Sequence, residues 1–145
     1  MPKLIIFAPC HKVLIDQDNN ISLISIFQEL RIPTAENIPS DAQAIIQWDT
    51  LAVWQQTPED QGRTYEQDLM LIAPGGATVT NAKRQFTIPA RQHRVVTKMY
   101  GFPVSLAGEY SLLLTLKDVN NDSALLVEAS YPMFVFHEPK PLGTP

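Results

Sequence analysis

Short apolar runs with period-two alternation, cut repeatedly by Pro, Gly, Asn and Asp, constrain this chain more than any other feature. The clearest spans Gly108 to Lys117, where Tyr110, Leu112, Leu114 and Leu116 fall on one side and Ser111, Leu113, Thr115 and Lys117 on the other. Successive side chains of a strand point to opposite faces, so the pattern predicts a half-buried strand and conflicts with a helical period. Tyr65 to Ile72 repeats it, with Tyr65, Leu69 and Leu71 opposite Glu66 and Asp68. Ala44 to Trp54 differs: Ile46, Trp48, Thr50, Ala52 and Trp54 occupy one face, and Ile45, Leu51 and Val53 the other. Apolar groups on both faces predict a strand inside a sheet rather than at its edge.

The remaining segments follow the same rule less cleanly. Leu4 to Ala8 and Val13 to Ile15 read as strands, ended by the polar turn Asp16 to Asn20. Ile21 to Ile32 begins as a strand, but Ile26-Phe27-Gln28-Glu29-Leu30 fits one helical turn with Ser25 as its N-cap. Pro33 to Pro39 reads as a loop. Val79 to Ile88 and Arg94 to Tyr100 flank Pro89 and Ala90 as a hairpin. After the turn Asp118 to Asp122, Ala124 to Tyr131 returns as a partner strand, and Met133 to His137 is a last strand beyond Pro132. The sum is about eight or nine short strands, spaced roughly 8–14 residues apart, with no helix of ordinary length. The fold class expected is all-β: a single antiparallel β-sandwich, immunoglobulin-like or jelly-roll-like, over residues 1–137. Residues 138–145, with Pro139, Pro141 and Pro145, are expected to form a flexible tail.

At 145 residues, 45% apolar and 18% charged, the chain can bury a core without a metal or a disulfide. Its one cysteine, Cys10, argues for a reducing compartment. Lys12 and its neighbours cut the first apolar run too short for a signal peptide, and no run approaches the ~20 residues that span a bilayer. A cytoplasmic protein with no membrane partner is expected. The net charge of -4 disfavours nucleic acid. The charge is unevenly placed, however. Between Leu69 and Gly108 there is no Asp or Glu, while Lys83, Arg84, Arg91, Arg94 and Lys98 all lie there. A positive patch could dock an acidic partner; the plainer reading is a solvated sheet face whose charges discourage aggregation.

Catalytic and metal patterns are weak. Cys10-His11 are adjacent, so in a strand they face opposite ways and suit one ion poorly. Asp16, Asp18 and Asn20, and again Asp118, Asn120 and Asp122, have the i, i+2, i+4 spacing of a calcium loop. The Gly and Glu that should follow are replaced by Ile21 and Phe27, and Asp and Asn are ordinary turn residues. Trp48 and Trp54 could stack a sugar, but six residues of strand separate them by about 20 Å. Core packing suits Trp48 better, and a position at a sheet end suits Trp54. No G-x-S-x-G occurs, and Pro74-Gly75-Gly76-Ala77 lacks the Lys of a phosphate loop.

Three stretches, in order, carry a likeness: Asn20 to Phe27, Ala44 to Trp54, and Gly101-Phe102-Pro103-Val104-Ser105-Leu106-Ala107-Gly108-Glu109-Tyr110. On these the chain resembles an uncharacterised bacterial family of small β-sandwich proteins, known only as a domain of unknown function. The resemblance implies a sandwich and supplies no activity.

The expected function is a non-catalytic protein-interaction or scaffold module, working through a sheet edge or the basic hairpin. Its partner would be a protein or a second copy in a homodimer, with Lys83, Arg84, Arg91, Arg94 and Lys98 as candidate binding residues. The alternative is a ligand-binding sandwich, for calcium or a carbohydrate, using loops at one end. An enzyme fits least, and no catalytic residue, metal or cofactor is expected.

Overall fold

Tyr110, Leu112, Leu114 and Leu116 are all buried, as their alternation requires, and so are Tyr65, Leu69 and Leu71. The computed structural model describes residues 2–34, 38–121 and 125–139. Among them run β1 (Lys3–Ile15), β2 (Ile21–Ile26), β3 (Glu29–Thr34), β4 (Gln43–Gln55), β5 (Thr64–Ile72), β6 (Thr78–Thr87), β7 (Gln92–Pro103), β8 (Gly108–Asp118) and β9 (Leu125–Pro139). A short 3₁₀ turn, Pro58–Asp60, is the one helical element among the described residues.

The strands form two sheets. The four-stranded sheet has the order β2-β1-β4-β7 and the five-stranded sheet β3-β9-β8-β5-β6. The second curls as a half-barrel. As expected of a strand apolar on both faces, β4 lies inside its sheet. Ile45 is the exception to its pattern, fully exposed where the register shifts between Ala44 and Gln47. Both sheets feed one core. Trp48, Trp54 and Phe102 come from the four-stranded sheet, and Tyr65, Leu112 and Leu114 from the five-stranded one.

Several sequence expectations are corrected. The pairing is not wholly antiparallel, because β3 runs parallel to β9. The segment Ile26 to Leu30 is not helical. Ser25 takes a left-handed φ of 52°, and the chain then passes from one sheet to the other. Phe27 N–H donates to the Pro9 carbonyl of the first sheet, at 2.9 Å, and the Gln28 carbonyl accepts from Phe134 N–H of the second, also at 2.9 Å. With its amide and the next carbonyl taken by two sheets, and its ring 5.3 Å from that of Phe102, Phe27 cannot close a helical turn. Pro33 belongs to β3, where an edge strand tolerates its missing N–H. Pro132 does not divide β9, and the strand extends to Pro139, into the stretch expected to be a tail. The rest of that stretch, 140–145, lies outside the described residues, as does Asp122.

The largest correction concerns Val79 to Tyr100. β6 pairs with β5 and β7 pairs with β4, so the two strands form a corner between sheets and not a hairpin. The buried Ile88 pins the corner: its carbonyl accepts from Gln56 Nε2 at 2.7 Å, while Gln56 N–H donates to the Arg91 carbonyl at 2.9 Å.

Gly101 holds the far end of β7. Its φ is +76°, and its carbonyl accepts the Trp48 indole N–H at 2.9 Å. A Cβ there would lie 2.6 Å from Gln43 Oε1. The Gln43 side chain can swing away; the left-handed backbone cannot be relieved so easily. Gly101→Ala is therefore expected to lower the unfolding free energy by about 1–2 kcal/mol in urea titration.

Candidate functional site

The five cations of the acid-free stretch do not form one patch. Lys83 and Arg84 stand on β6 in the five-stranded sheet; Arg94 and Lys98 stand on β7 in the other, with Arg91 at the corner. Two of them are engaged internally. Arg84 spans the gap between the sheets, its Nη1 donating to the Val96 carbonyl at 2.5 Å. Arg94 Nη1 donates to Asn19 Oδ1 at 3.1 Å and its Nη2 to the Asn19 carbonyl. Among the described residues, Lys83, Arg91 and Lys98 enter no ion pair. Lys83 lies opposite Asp68 in the ladder, and Lys98 opposite Asp49.

The Arg94–Asn19 contact reveals a feature that local pattern did not disclose. Leu51 and Val53, on the face of β4 turned away from the shared core, are nonetheless buried. The distal half of the β1–β2 ribbon folds back over them. Val13 N–H donates to Asp49 Oδ2 at 3.0 Å, and the Asp16–Asn20 turn is tied down by Arg94. One face of the ribbon is thus spent on covering the sheet. The other, carrying Leu14, Ile24 and Ile26 on the side of Lys12, is turned to solvent. Six of the eleven large apolar side chains exposed among the described residues lie on β1 and β2, and three of them, Leu14, Ile24 and Ile26, share this face.

The edges of the two sheets differ in the same sense. β2 and β7 bound one sheet, β3 and β6 the other. β3 carries Glu29, Arg31 and Pro33; β6 carries Lys83 and Arg84; β7 carries Arg94 and Lys98. β2, Ile-Ser-Leu-Ile-Ser-Ile, has neither charge nor proline. Charged and proline residues are the usual means of keeping a free edge from pairing, and β2 lacks both.

The calcium and sugar candidates are otherwise occupied. Asp16 Oδ1 accepts the Asp18 and Asn20 amides at 2.9 and 2.8 Å, which is turn chemistry. Asp118 Oδ2 pairs with Arg63 at 2.9 Å, and its Oδ1 accepts from Asn120 N–H at 3.0 Å. No group of three His, Cys, Asp or Glu among the described residues is placed to hold a metal ion. Trp48 and Trp54 both sit in the core, so neither indole offers a stacking face; Trp54 lies one residue from the end of β4 and is buried there. Cys10 is buried while His11 beside it is exposed. Burial, with Asp49 nearby, raises the thiol pKa and keeps it protonated.

Two clefts flank the exposed Tyr100. One, of about 320 Å3, includes His11, Lys12, Asp49 and Lys98. The other, of about 330 Å3, opens between the β6 and β7 edges over Leu71, Ala82 and Met99. Both are partly enclosed and lined by a mixture of polar and apolar side chains. No helix is long and apolar enough to cross a membrane among the described residues. A scan against protein-family models and a search of curated proteins each return no match to this chain.

Proposed function

We propose that this protein is a non-catalytic interaction module that self-associates through β2. The reading is carried by one observation: of the four free edges, β2 alone is without charge or proline, and the apolar face of the β1–β2 ribbon lies beside it. The occupant proposed is a second copy of the chain. An antiparallel pair of β2 strands about a two-fold axis would set residues of the same face opposite one another, and brings no like charges into register because β2 carries none. The same contact would cover Leu14 and Ile24 from both copies. Two inferences accompany this. We place the two sheets face to face as a sandwich, on the strength of their common core. A cytoplasmic location is supported by the single buried thiol, which needs no oxidising compartment.

Ile24→Lys is the variant that tests the association. It sets a charge on the free edge at an already exposed position. Sedimentation velocity is expected to show a dimer for the parent chain and a monomer for the variant, with the melting temperature within a degree or so of the parent. A parent chain that stays monomeric to millimolar concentration overturns the reading, and so does a dimer that survives the substitution.

A further inference from the structure

A second free edge has a different chemistry. We propose that the outer edge of β7, at Lys98 and Tyr100, receives an extended segment of a partner protein that alternates apolar and acidic side chains. The backbone supplies the first argument. β7 pairs with β4 on one side only. The Val96 carbonyl points away from β4, since it is the group that Arg84 reaches from across the gap. Along a strand the backbone groups of alternate residues point the same way, so those of Lys98 and Tyr100 also face outward. They form the stretch of β7 between the Arg84 crossing and the turn at Gly101.

The side chains define what could pair there. A strand added beside β7 would turn every second side chain inward, over the cleft of about 330 Å3 lined by Leu71, Val79, Ala82 and Met99. Those positions call for apolar residues. The alternate side chains would lie on the outer face, beside Lys98 and the 70% exposed Tyr100. Lys98 enters no ion pair among the described residues; Asp49 lies opposite it on β4, but Lys12 lines the cleft of about 320 Å3 with both and neither β6 nor β7 contains an acid, so the outer face there keeps a positive balance. The outer positions therefore call for Glu or Asp, whose charge a neighbouring cation favours directly across a strand pair. The cations also settle against a second copy: two β7 edges meeting would set Lys98 near its own counterpart. Addition of a strand to a sheet edge is a general recognition mode, with backbone hydrogen bonds for affinity and side-chain alternation for selection. This site is separate from β2 and does not depend on self-association.

The probe is a nine-residue fluorescein-labelled peptide alternating Val and Glu, beside a control in which Lys replaces every Glu. Binding is followed by fluorescence anisotropy and by amide hydrogen exchange on the full chain. The Val/Glu peptide is expected to bind, to slow exchange at Lys98 and Tyr100, and to weaken as salt rises; the Val/Lys peptide should not bind. Lys98→Glu should cost the acidic peptide about tenfold, through loss of an opposite-charge pair and creation of a like-charge one, and should gain binding for the Val/Lys peptide. That exchange of preference distinguishes a direct pairing from a general loss of structure. The proposal is overturned if both peptides bind the parent chain equally, or if neither does. It is equally overturned if protection falls on β2 and not on β7, or if a DNA oligonucleotide replaces the peptide with the same affinity.

Discussion

Trp54→Ala should destabilise the fold by about 4 kcal/mol, with a fall in melting temperature of roughly 10 °C or more. Trp54 is completely buried, its ring stacked 6.4 Å from Phe86, and its indole N–H donates to Gln67 Oε1 at 3.0 Å. Truncation costs in two ways. Removing a large aromatic from a close-packed core leaves a cavity, for which about 3–5 kcal/mol is usual. It also strands Gln67, a buried amide, whose oxygen loses its donor at about 1–3 kcal/mol. Urea titration of Trp54→Phe goes far to separate the terms, since an aromatic ring, though a smaller one, remains while the N–H is lost. That variant should cost about 1–3 kcal/mol. Replacing Gln67 by Met in the Trp54→Phe background should then recover part of the loss, because no buried polar group remains unpaired. Equal costs for Trp54→Phe and Trp54→Ala would mean that the hydrogen bond, and not the packing, matters at this position.

Acid should unfold the protein through the protonation of Asp60. Asp60 is buried at the end of the 3₁₀ turn. Its Oδ1 accepts the Tyr65 hydroxyl at 2.6 Å, and its Oδ2 accepts the Thr57 amide and hydroxyl at 2.7 and 2.9 Å. Burial by itself would raise the carboxyl pKa, but these donors outweigh it and hold the pKa below the ordinary carboxylate value. The same pair acts oppositely on Tyr65, where burial and then the hydrogen bond to Asp60 push the phenol up. A carboxyl with a depressed folded pKa stabilises the fold above its unfolded pKa, and that contribution drains away as pH falls through the folded value. The Asp60 contribution should thus hold above about pH 5 and decline below about pH 4, after a shallower loss from His93 that sets in below about pH 6.5. His93 adds in the same direction. Burial and the nearby Arg84 lower its pKa, so protonating it as pH falls favours the unfolded chain. Asp60→Ala should cost about 2–3 kcal/mol at neutral pH, by leaving the buried Tyr65 hydroxyl without its acceptor, and should flatten the acid limb. Urea titrations across the acid range read both effects. An acid limb unchanged in Asp60→Ala would place the responsible carboxylate elsewhere.

Strand identity was legible wherever one face alone was buried. β5 and β8 follow their alternation residue by residue, and β4 declares its interior place by being apolar twice over. Strand pairing was not legible, because it is settled between residues far apart in the chain. Pro89 and Ala90 look like a hairpin turn, yet what fixes the corner is Gln56, more than thirty positions away, bonding Ile88 and Arg91. The Ile26–Leu30 segment has helical spacing, but two sheets claim its backbone at Phe27 and Gln28. The candidate site was half visible. The absence of acids from Leu69 to Gly108 is plain in the sequence, whereas the division of its cations between two sheets required the topology. The apolar Ile21–Ile26 strand was read as a strand; that it is an unguarded edge depends on what fails to lie beside it.

The measurement that most directly tests self-association through β2 is amide hydrogen exchange, read by mass spectrometry at low and high protein concentration. If β2 pairs with its counterpart, the amides of Ile21–Ile26 that face its free edge, and not those bonded to β1, should exchange freely in dilute solution and become protected as concentration rises, while those of β6 and β7 stay unchanged. Free exchange of Ile21–Ile26 at every concentration, or concentration-dependent protection confined to another edge, would contradict the proposal that β2 is the interface.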